Sequence, residues 1–269
     1  MSRFNFPSTF FDRYELRARV APAILMLLPV ALPLRVALPA GGMGWLESLL
    51  LAIPVLLGFT LLVAMLGRRL EPKLWQKWDG PPSTRYCRWR DETLGKQRKT
   101  NLHAAVAQHL HIDLYSSQKE RARPDEADRV IVDAFRQVKE ILRRREPTGL
   151  WSTHNANYGF ARNFLASATW GSVLALIAAI VCLAIWLRTD ERLAFIGICV
   201  EIGLAAIFLV CRLWVMPAVA KLHADRYAES AWETFLVVTD TNKVISEAAA
   251  TAKPTEEAPK DKTSATEGS

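Results

Sequence analysis

A single acidic residue interrupts one of the most apolar stretches of the chain. The segment "RLAFIGICVEIGLAAIFLVCR", residues 192–212, is long enough to cross a bilayer, yet it carries Glu201 near its middle. A charged carboxylate at mid-bilayer costs at least about 2.5 kcal/mol. Such a side chain is therefore expected to face the interior of a helical bundle, where it binds a proton, pairs with a cation or lines a polar site.

Two arginines are candidate partners for this carboxylate. Arg212 shares a helix face with Glu201 but lies roughly 16 Å further along the axis, too far to pair within one helix. Arg35, near the outer end of the first apolar block, is the better intramolecular partner. The alternative is a protonated Glu201 that bonds a neighbouring backbone, serine or threonine group, with room left by the small residues Gly197 and Gly203.

A second group of candidate residues mixes aromatic rings with arginines in a loop. Interleaved rings and cations can stack on bases and contact phosphates, as in nucleic-acid binding. The loop directly follows an apolar block, however, where tryptophans at headgroup depth and arginines on lipid phosphate are expected. We therefore predict a membrane-surface belt with anionic lipid as its partner rather than nucleic acid. Its residues are Trp75, Trp78, Arg85, Tyr86, Arg88, Trp89, Arg90 and Asp91.

A third group precedes the second apolar block in "WSTHNANYGFARNF", residues 151–164. These side chains could form a ligand pocket at the membrane face. Helix starts favour the same residue types, so capping and orientation of the third span is the preferred interpretation. The residues are Asn155, Asn157, Tyr158, Arg162 and Asn163.

Motifs for catalysis and metal binding are missing from the sequence. It contains no GxSxG, P-loop, HExxH or GxGxxG pattern. The four cysteines form no CxxC pair, and His109 and His111 lie on different helix faces. The sequence therefore favours a non-enzyme and predicts neither a metal site nor a cofactor.

The apolar residues that must position these groups fall in two blocks, 20–66 and 165–219. A spanning helix needs about 20 apolar residues, and "PAGGMGWLE" divides the first block with a proline and paired glycines. The sequence thus predicts an all-α fold with four transmembrane helices in two hairpins. The predicted spans are 20–38, 49–66, 165–187 and 193–210.

Basic residues set the expected orientation. The net charge is +7, and the lysines and arginines flank the apolar blocks at the N-terminus and in the segment after span two. Positive charge marks the cytoplasmic side. Both termini and the central segment are therefore expected in the cytoplasm, with the first span uncleaved.

The central segment reads as a helical domain. Its clearest element, "PDEADRVIVDAFRQVKEILRRRE", starts with Pro124 and repeats apolar residues at helical spacing, so we expect Val130, Ala134, Phe135 and Val138 to be buried. The predicted division is a cytoplasmic N-terminal segment 1–19, a transmembrane hairpin 20–67, a cytoplasmic helical domain 68–163, a second transmembrane hairpin 164–213, a C-terminal cytoplasmic helix 214–247 and a disordered tail 248–269.

Three stretches together resemble a family of uncharacterised bacterial four-span inner-membrane proteins. They are "FNFPSTFFDRYELRARVAPAILMLLP", "GPPSTRYCRWRDETL" and "NANYGFARNF". The resemblance covers most of the chain except the tail, although Ala161 stands where the family pattern has a second arginine. It implies the four-span topology and suggests that the two polar stretches act together. No activity and no functional residue carry over with it.

From this architecture we predict an integral membrane module without catalytic activity. It would act as an oligomeric pore-forming or membrane-perturbing effector in a defence system, or as the membrane anchor of a cytosolic protein. The alternative is a small transporter or channel component with a polar intramembrane site at Glu201. Expected partners are the bilayer, anionic lipid, a second copy of the chain and a cytosolic protein.

Overall fold

The described part of the chain is all-helical. The computed structural model describes residues 13–37 and 45–251, and none of these residues lies in a β-strand. This confirms the predicted all-α class. The helices are α1 (Arg13–Glu15), α2 (Ala21–Ala37), α3 (Trp45–Lys77), α4 (Pro82–Cys87), α5 (Lys96–Leu110), α6 (Ser117–Ala122), α7 (Pro124–Arg145), α8 (Leu150–Thr189), α9 (Arg192–Val210) and α10 (Met216–Thr251).

Within the described residues, four helical stretches are long and apolar enough to cross a membrane, as the sequence predicts. They are Arg13–Val36, Leu51–Cys87, Leu150–Thr189 and Arg192–Asp240. Each is longer than the corresponding predicted span, because polar residues continue the helix beyond the apolar run. Most of the predicted breaker "PAGGMGWLE" and the end of the predicted tail, residues 252–269, lie outside the described residues.

Small residues line the contact between α8 and α9. On α8 the buried positions include Ala175, Ala178 and Ala179, and on α9 they include Ala194 and Ala205. Side chains of this size let two helix backbones approach closely, which is the usual way that membrane helices associate. The outward faces carry exposed leucine, isoleucine and valine side chains. Such faces suit contact with lipid chains.

A separate hydrophobic core holds the helices that lie outside the apolar segments. We call this unit, formed by α4 to α7 and residues 224–240 of α10, the polar domain. Ala134, Phe135 and Val138 of α7 are buried in its core as predicted, whereas Val130 is half-buried at the edge of the inward stripe. The other core residues include Leu102 and Val106 of α5 and Ala231, Trp232 and Phe235 of α10.

Three of the long helices, α3, α8 and α10, connect the apolar segments to this polar domain. Two wide π-helical turns, Leu16–Val20 and Cys211–Val215, interrupt the helices next to the apolar segments. In the second, the Met216 N–H donates to the Cys211 carbonyl, five residues back. Pro217 follows directly and has no N–H to donate, so the wide turn lets the chain pass the proline without ending the helix. Helix α10 therefore leaves α9 without a loop.

The start of α8 differs from the expectation. The helix begins at Leu150 after Gly149 and runs unbroken to Thr189. The predicted start near the apolar run, capped by the amide-rich stretch, is therefore wrong. Those polar side chains lie within the helix, where the backbone bonds to itself, and they are free to contact other helices.

Candidate functional site

Polar side chains of α3 and α8 meet where the apolar segments join the polar domain. The Arg162 guanidinium on α8 pairs with Glu71 on α3, with 2.7 Å between Nη1 and Oε1. The Tyr158 hydroxyl donates to the same carboxylate oxygen at 3.0 Å. Two residues of the predicted polar stretch thus hold one acid that the sequence analysis missed. The signal for it was an acid directly after the basic end of span two.

Asn163 connects a third helix to this cluster. Its side chain is fully buried, and Nδ2 donates to the Ala18 carbonyl at 2.7 Å, inside the first wide turn. Arg162 Nε donates to Asn163 Oδ1 at 3.3 Å. Gly67 of α3 passes directly over this amide, since a Cβ built on it would lie 1.8 Å from Oδ1. Only glycine allows this approach.

A cavity of about 340 Å³ opens beside this cluster, between α3, α4, α7, α8 and α10. It brings together members of both predicted groups, Trp75 of the aromatic loop and Asn155, Tyr158 and Arg162 of the polar stretch. This juxtaposition is the candidate functional site. The cavity is lined by Glu71, Trp75, Pro81, Pro82, Ser83, Val132, Phe135, Arg136, Lys139, Asn155, Tyr158, Arg162, Ala224 and Tyr227.

Cationic groups outnumber acidic ones on the cavity wall. Arg136, Lys139 and Arg162 face Glu71, whose carboxylate is already taken by Arg162 and Tyr158. The pKa of Lys139 lies below its usual value, first because burial disfavours the charged form and then because Arg143 and Arg136 lie nearby. The arrangement favours an anionic ligand.

The arginines of the aromatic loop bond mainly to carboxylates of the polar domain. Arg88 is only 4% exposed, donates from Nε to Asp128 at 2.7 Å and pairs with Asp79 at 3.0 Å. Arg90 pairs with Asp128 at 3.1 Å and with Glu120 at 3.4 Å. These bonds fix the loop onto α6 and α7.

The rest of the loop is held in the same way. Arg85 Nε lies 3.2 Å from Asp91 Oδ2, and the Thr93 N–H donates to Asp91 Oδ1 at 2.9 Å. Burial alone would raise the pKa of Asp91, but the bonds from Thr93 and Arg85 outweigh it and lower that pKa. Trp89 Nε1 donates to the Tyr115 carbonyl at 2.9 Å.

The two remaining aromatic residues of the loop, Tyr86 and Trp78, pack in different hydrophobic clusters. Tyr86 is buried in the core of the polar domain, and Trp78 packs against the cluster around Phe164 and Phe208. The contact with lipid that we predict for the loop stays a prediction. What the structure adds is that its three arginines already form ion pairs inside the chain.

Glu201 is fully buried in α9, and neither carboxylate oxygen has a hydrogen-bond partner among the described residues. Its predicted pair with Arg35 is not formed, and that arginine is exposed. The predicted bond to a backbone or hydroxyl group is not formed either. Gly197, one turn away, touches α8 so closely that a Cβ there would lie 2.8 Å from Cys182 Sγ.

The last candidates of the sequence analysis contribute no contacts to the cavity. Arg212 lies half-buried in the second wide turn and forms no ion pair with any described residue. The oxygen Oδ1 of Asn157 is buried and has no hydrogen-bond partner in the described part of the chain. Within residues 13–37 and 45–251, no three His, Cys, Asp or Glu side chains form a group that could hold a metal ion.

Comparison with protein-family models, with characterised proteins and with solved structures finds no match for this chain. The family resemblance, and the defence context suggested with it, therefore stay predictions.

Proposed function

We propose that the protein is a non-enzymatic integral membrane module whose polar domain faces the cytoplasm and anchors a cytosolic partner at a bacterial inner membrane. The continuity of the last helix supports this most directly. Helix α10 follows α9 through a wide turn and places Trp232 and Phe235, both fully buried, in the core of the polar domain. The domain is therefore built onto the membrane helices, not tethered to them by a linker.

The same geometry supports anchoring over pore formation. Between the ends of α9, Glu201 is the one charged side chain, and it is turned inward. A pore assembled from several copies needs a polar surface that the copies share. The exposed side chains of α9, such as Phe195, Ile202 and Ile207, offer only apolar contact. This apolar surface of α9 suits contact between a single chain and the surrounding lipid.

A reporter inserted near Ser116 and one fused after Ser269 are both expected to give a cytoplasmic signal. Cells that express the chain should at the same time keep their membrane potential, measured with a potential-sensitive dye. A signal from the outer side at either position would contradict the orientation. Loss of potential with correct orientation would favour the pore-forming effector over the anchor.

A second candidate function, a small transporter, is favoured by one observation. A buried carboxylate without a partner inside an apolar segment is expensive, and such residues often mark ion or proton paths. On this proposal Glu201 carries a proton between two states of the bundle. Cys182 of α8 lies near the Glu201 carboxylate. No basic group among the described residues forms an ion pair with that carboxylate.

We expect dicyclohexylcarbodiimide, which reacts with protonated carboxyls in apolar surroundings, to form a covalent adduct with Glu201 in membranes. The adduct is detected as an increase in the mass of the protein. Glu201→Gln should abolish the mass shift, whereas Glu191→Gln, at the exposed turn between α8 and α9, should leave it unchanged. Liposomes containing the protein should then dissipate a pH gradient, and the Glu201→Gln protein should not. Dissipation equal to that of empty liposomes would remove the transporter proposal.

A further inference from the structure

Lys139 lies on the cavity wall without an ion pair. Its Nζ sits 5.6 Å from the centre of the Phe135 ring, and no carboxylate among the described residues lies within salt-bridge distance of it. The side chain is half-buried. A cation that has lost part of its water and has no carboxylate in direct contact is unfavourable, and an anion in the cavity would offset that cost.

The acid of the cavity, Glu71, attracts Lys139 only from a distance and forms its ion pair with Arg162 instead. Glu71 accepts bonds from Arg162 and Tyr158 on the same oxygen and is held on the α8 side of the cavity. Arg136 lies on the same wall as Lys139 and pairs only with the exposed Asp133 on its own helix, at 3.2 Å. Since Arg162 pairs with Glu71 and Arg136 with Asp133, Lys139 is the cation of the lining that forms no ion pair with a described residue.

The remaining lining residues fit a ligand with a small polar head. The amide of Asn155, the hydroxyl of Ser83 and the hydroxyl of Tyr227 line the same space and can donate hydrogen bonds. The rings of Trp75 and Phe135 supply apolar walls. A combination of cations, neutral donors and apolar surface is typical of sites for amphiphilic anions.

The position of the cavity indicates where such a ligand would come from. Glu71 and Trp75 lie on α3 directly after the apolar part of that helix, which ends at Leu66 and Gly67. At this level a spanning helix leaves the hydrocarbon and reaches the phosphates of the lipid headgroups. The cavity thus opens where phosphate is abundant.

We propose that this cavity binds a phosphate monoester, with Lys139 as its main cation and Arg136, Asn155 and Tyr227 as further donors. The phosphate can belong to a lipid headgroup or to a soluble molecule. The proposal does not depend on the anchoring function, because it concerns what the cavity binds and not what the polar domain holds.

The test uses the full chain in detergent and measures its thermal unfolding with three probes. They are dioctanoyl phosphatidic acid, which carries a phosphate monoester, dioctanoyl glycerol, which has the same tails without phosphate, and inorganic phosphate. We expect phosphatidic acid to raise the Tm and dioctanoyl glycerol to leave it unchanged. An equal rise with both lipids would mean that the tails bind and would overturn the proposal.

Two lysine variants make the test specific to the cavity. Lys139→Gln is expected to raise the dissociation constant for phosphatidic acid about tenfold, because one charge-assisted hydrogen bond is lost. Lys96→Gln removes the same charge from an exposed position at the start of α5 and should bind like the wild type. Equal binding by all three proteins would overturn the proposal, and the Tm of Lys139→Gln without probe shows that the variant is folded.

Inorganic phosphate separates the two sources. A rise in Tm with phosphatidic acid but not with phosphate assigns the site to a lipid headgroup. A rise with both, lost in Lys139→Gln, assigns it to a soluble phosphate monoester. No rise with either probe would show that the cavity is not a phosphate site.

Discussion

Replacing Trp232 with alanine is expected to lower the free energy of unfolding by about 3–5 kcal/mol, the usual cost of truncating a buried aromatic residue. Trp232 is fully buried in the core of the polar domain and touches the rings of Phe135 and Phe235. Its Nε1 also donates to the Ser83 carbonyl at 2.9 Å. The variant leaves a cavity and an unpaired carbonyl together, which puts the effect at the upper end of the range.

Trp214→Ala is the matched control for this variant. The same residue type lies in the wide turn before α10 with 70% of its surface exposed. Its truncation should change stability by no more than about 0.5 kcal/mol, as for other surface sites. Chemical unfolding of the detergent-solubilised protein measures both. Equal losses in the two variants would contradict the proposed core.

Gly67→Ala is expected to destabilise the protein by about 2–4 kcal/mol, through overpacking and the loss of a buried hydrogen bond. The added methyl group would lie 1.8 Å from Asn163 Oδ1 and 3.2 Å from its Cα. The amide would have to leave the Ala18 carbonyl that it now bonds. The contact between α3 and α8 would open as a result.

Gly58→Ala provides the comparison within the same helix. A Cβ at Gly58 meets no atom within 4 Å, so the substitution adds a methyl group to open space. Its stability should equal or slightly exceed that of the wild type, because alanine favours the helix. Equal behaviour of the two variants in thermal unfolding would show that α3 and α8 do not approach each other as described.

Much of the fold follows from patterns that are local in the sequence. Apolar runs of sufficient length predict the four candidate membrane helices, and the three- and four-residue spacing of α7 predicts its buried face. The ends of the helices are harder to predict from the sequence. The amide-rich residues before span three have the composition of a cap, but Gly149 ends the preceding turn earlier and the helix starts there. Composition does not reveal where the backbone becomes helical.

The site depends on contacts that the sequence does not encode locally. Arg88 looks like a surface residue beside tryptophans, and its partner Asp128 is 40 positions away. Lys139 and Glu71 were missed because each is an ordinary charge on an ordinary helix until the fold brings them to one cavity. The joint role of the two polar stretches rests on a resemblance and stays a prediction; the structure shows that residues of both stretches line one cavity.

The interpretation of Glu201 shows the same limit. Its place in an apolar run predicted an inward-facing carboxylate, and the side chain is fully buried. The choice of Arg35 as its partner came from axial distances alone. Distances along two helix axes do not give the rotation of either helix, and the arginine lies on an exposed face of α2.

In the proposed membrane protein, the long helices that join the apolar segments to the polar domain would make bilayer thickness a mechanical variable. A helix longer than the hydrocarbon accommodates a thinner membrane by tilting. Helices α3 and α8 run on into the walls of the cavity, and α10 follows α9 through a wide turn. On the proposed membrane insertion, a change in tilt would be carried past the headgroups and would alter the angle between the cavity walls, so that the cavity would respond to acyl-chain length.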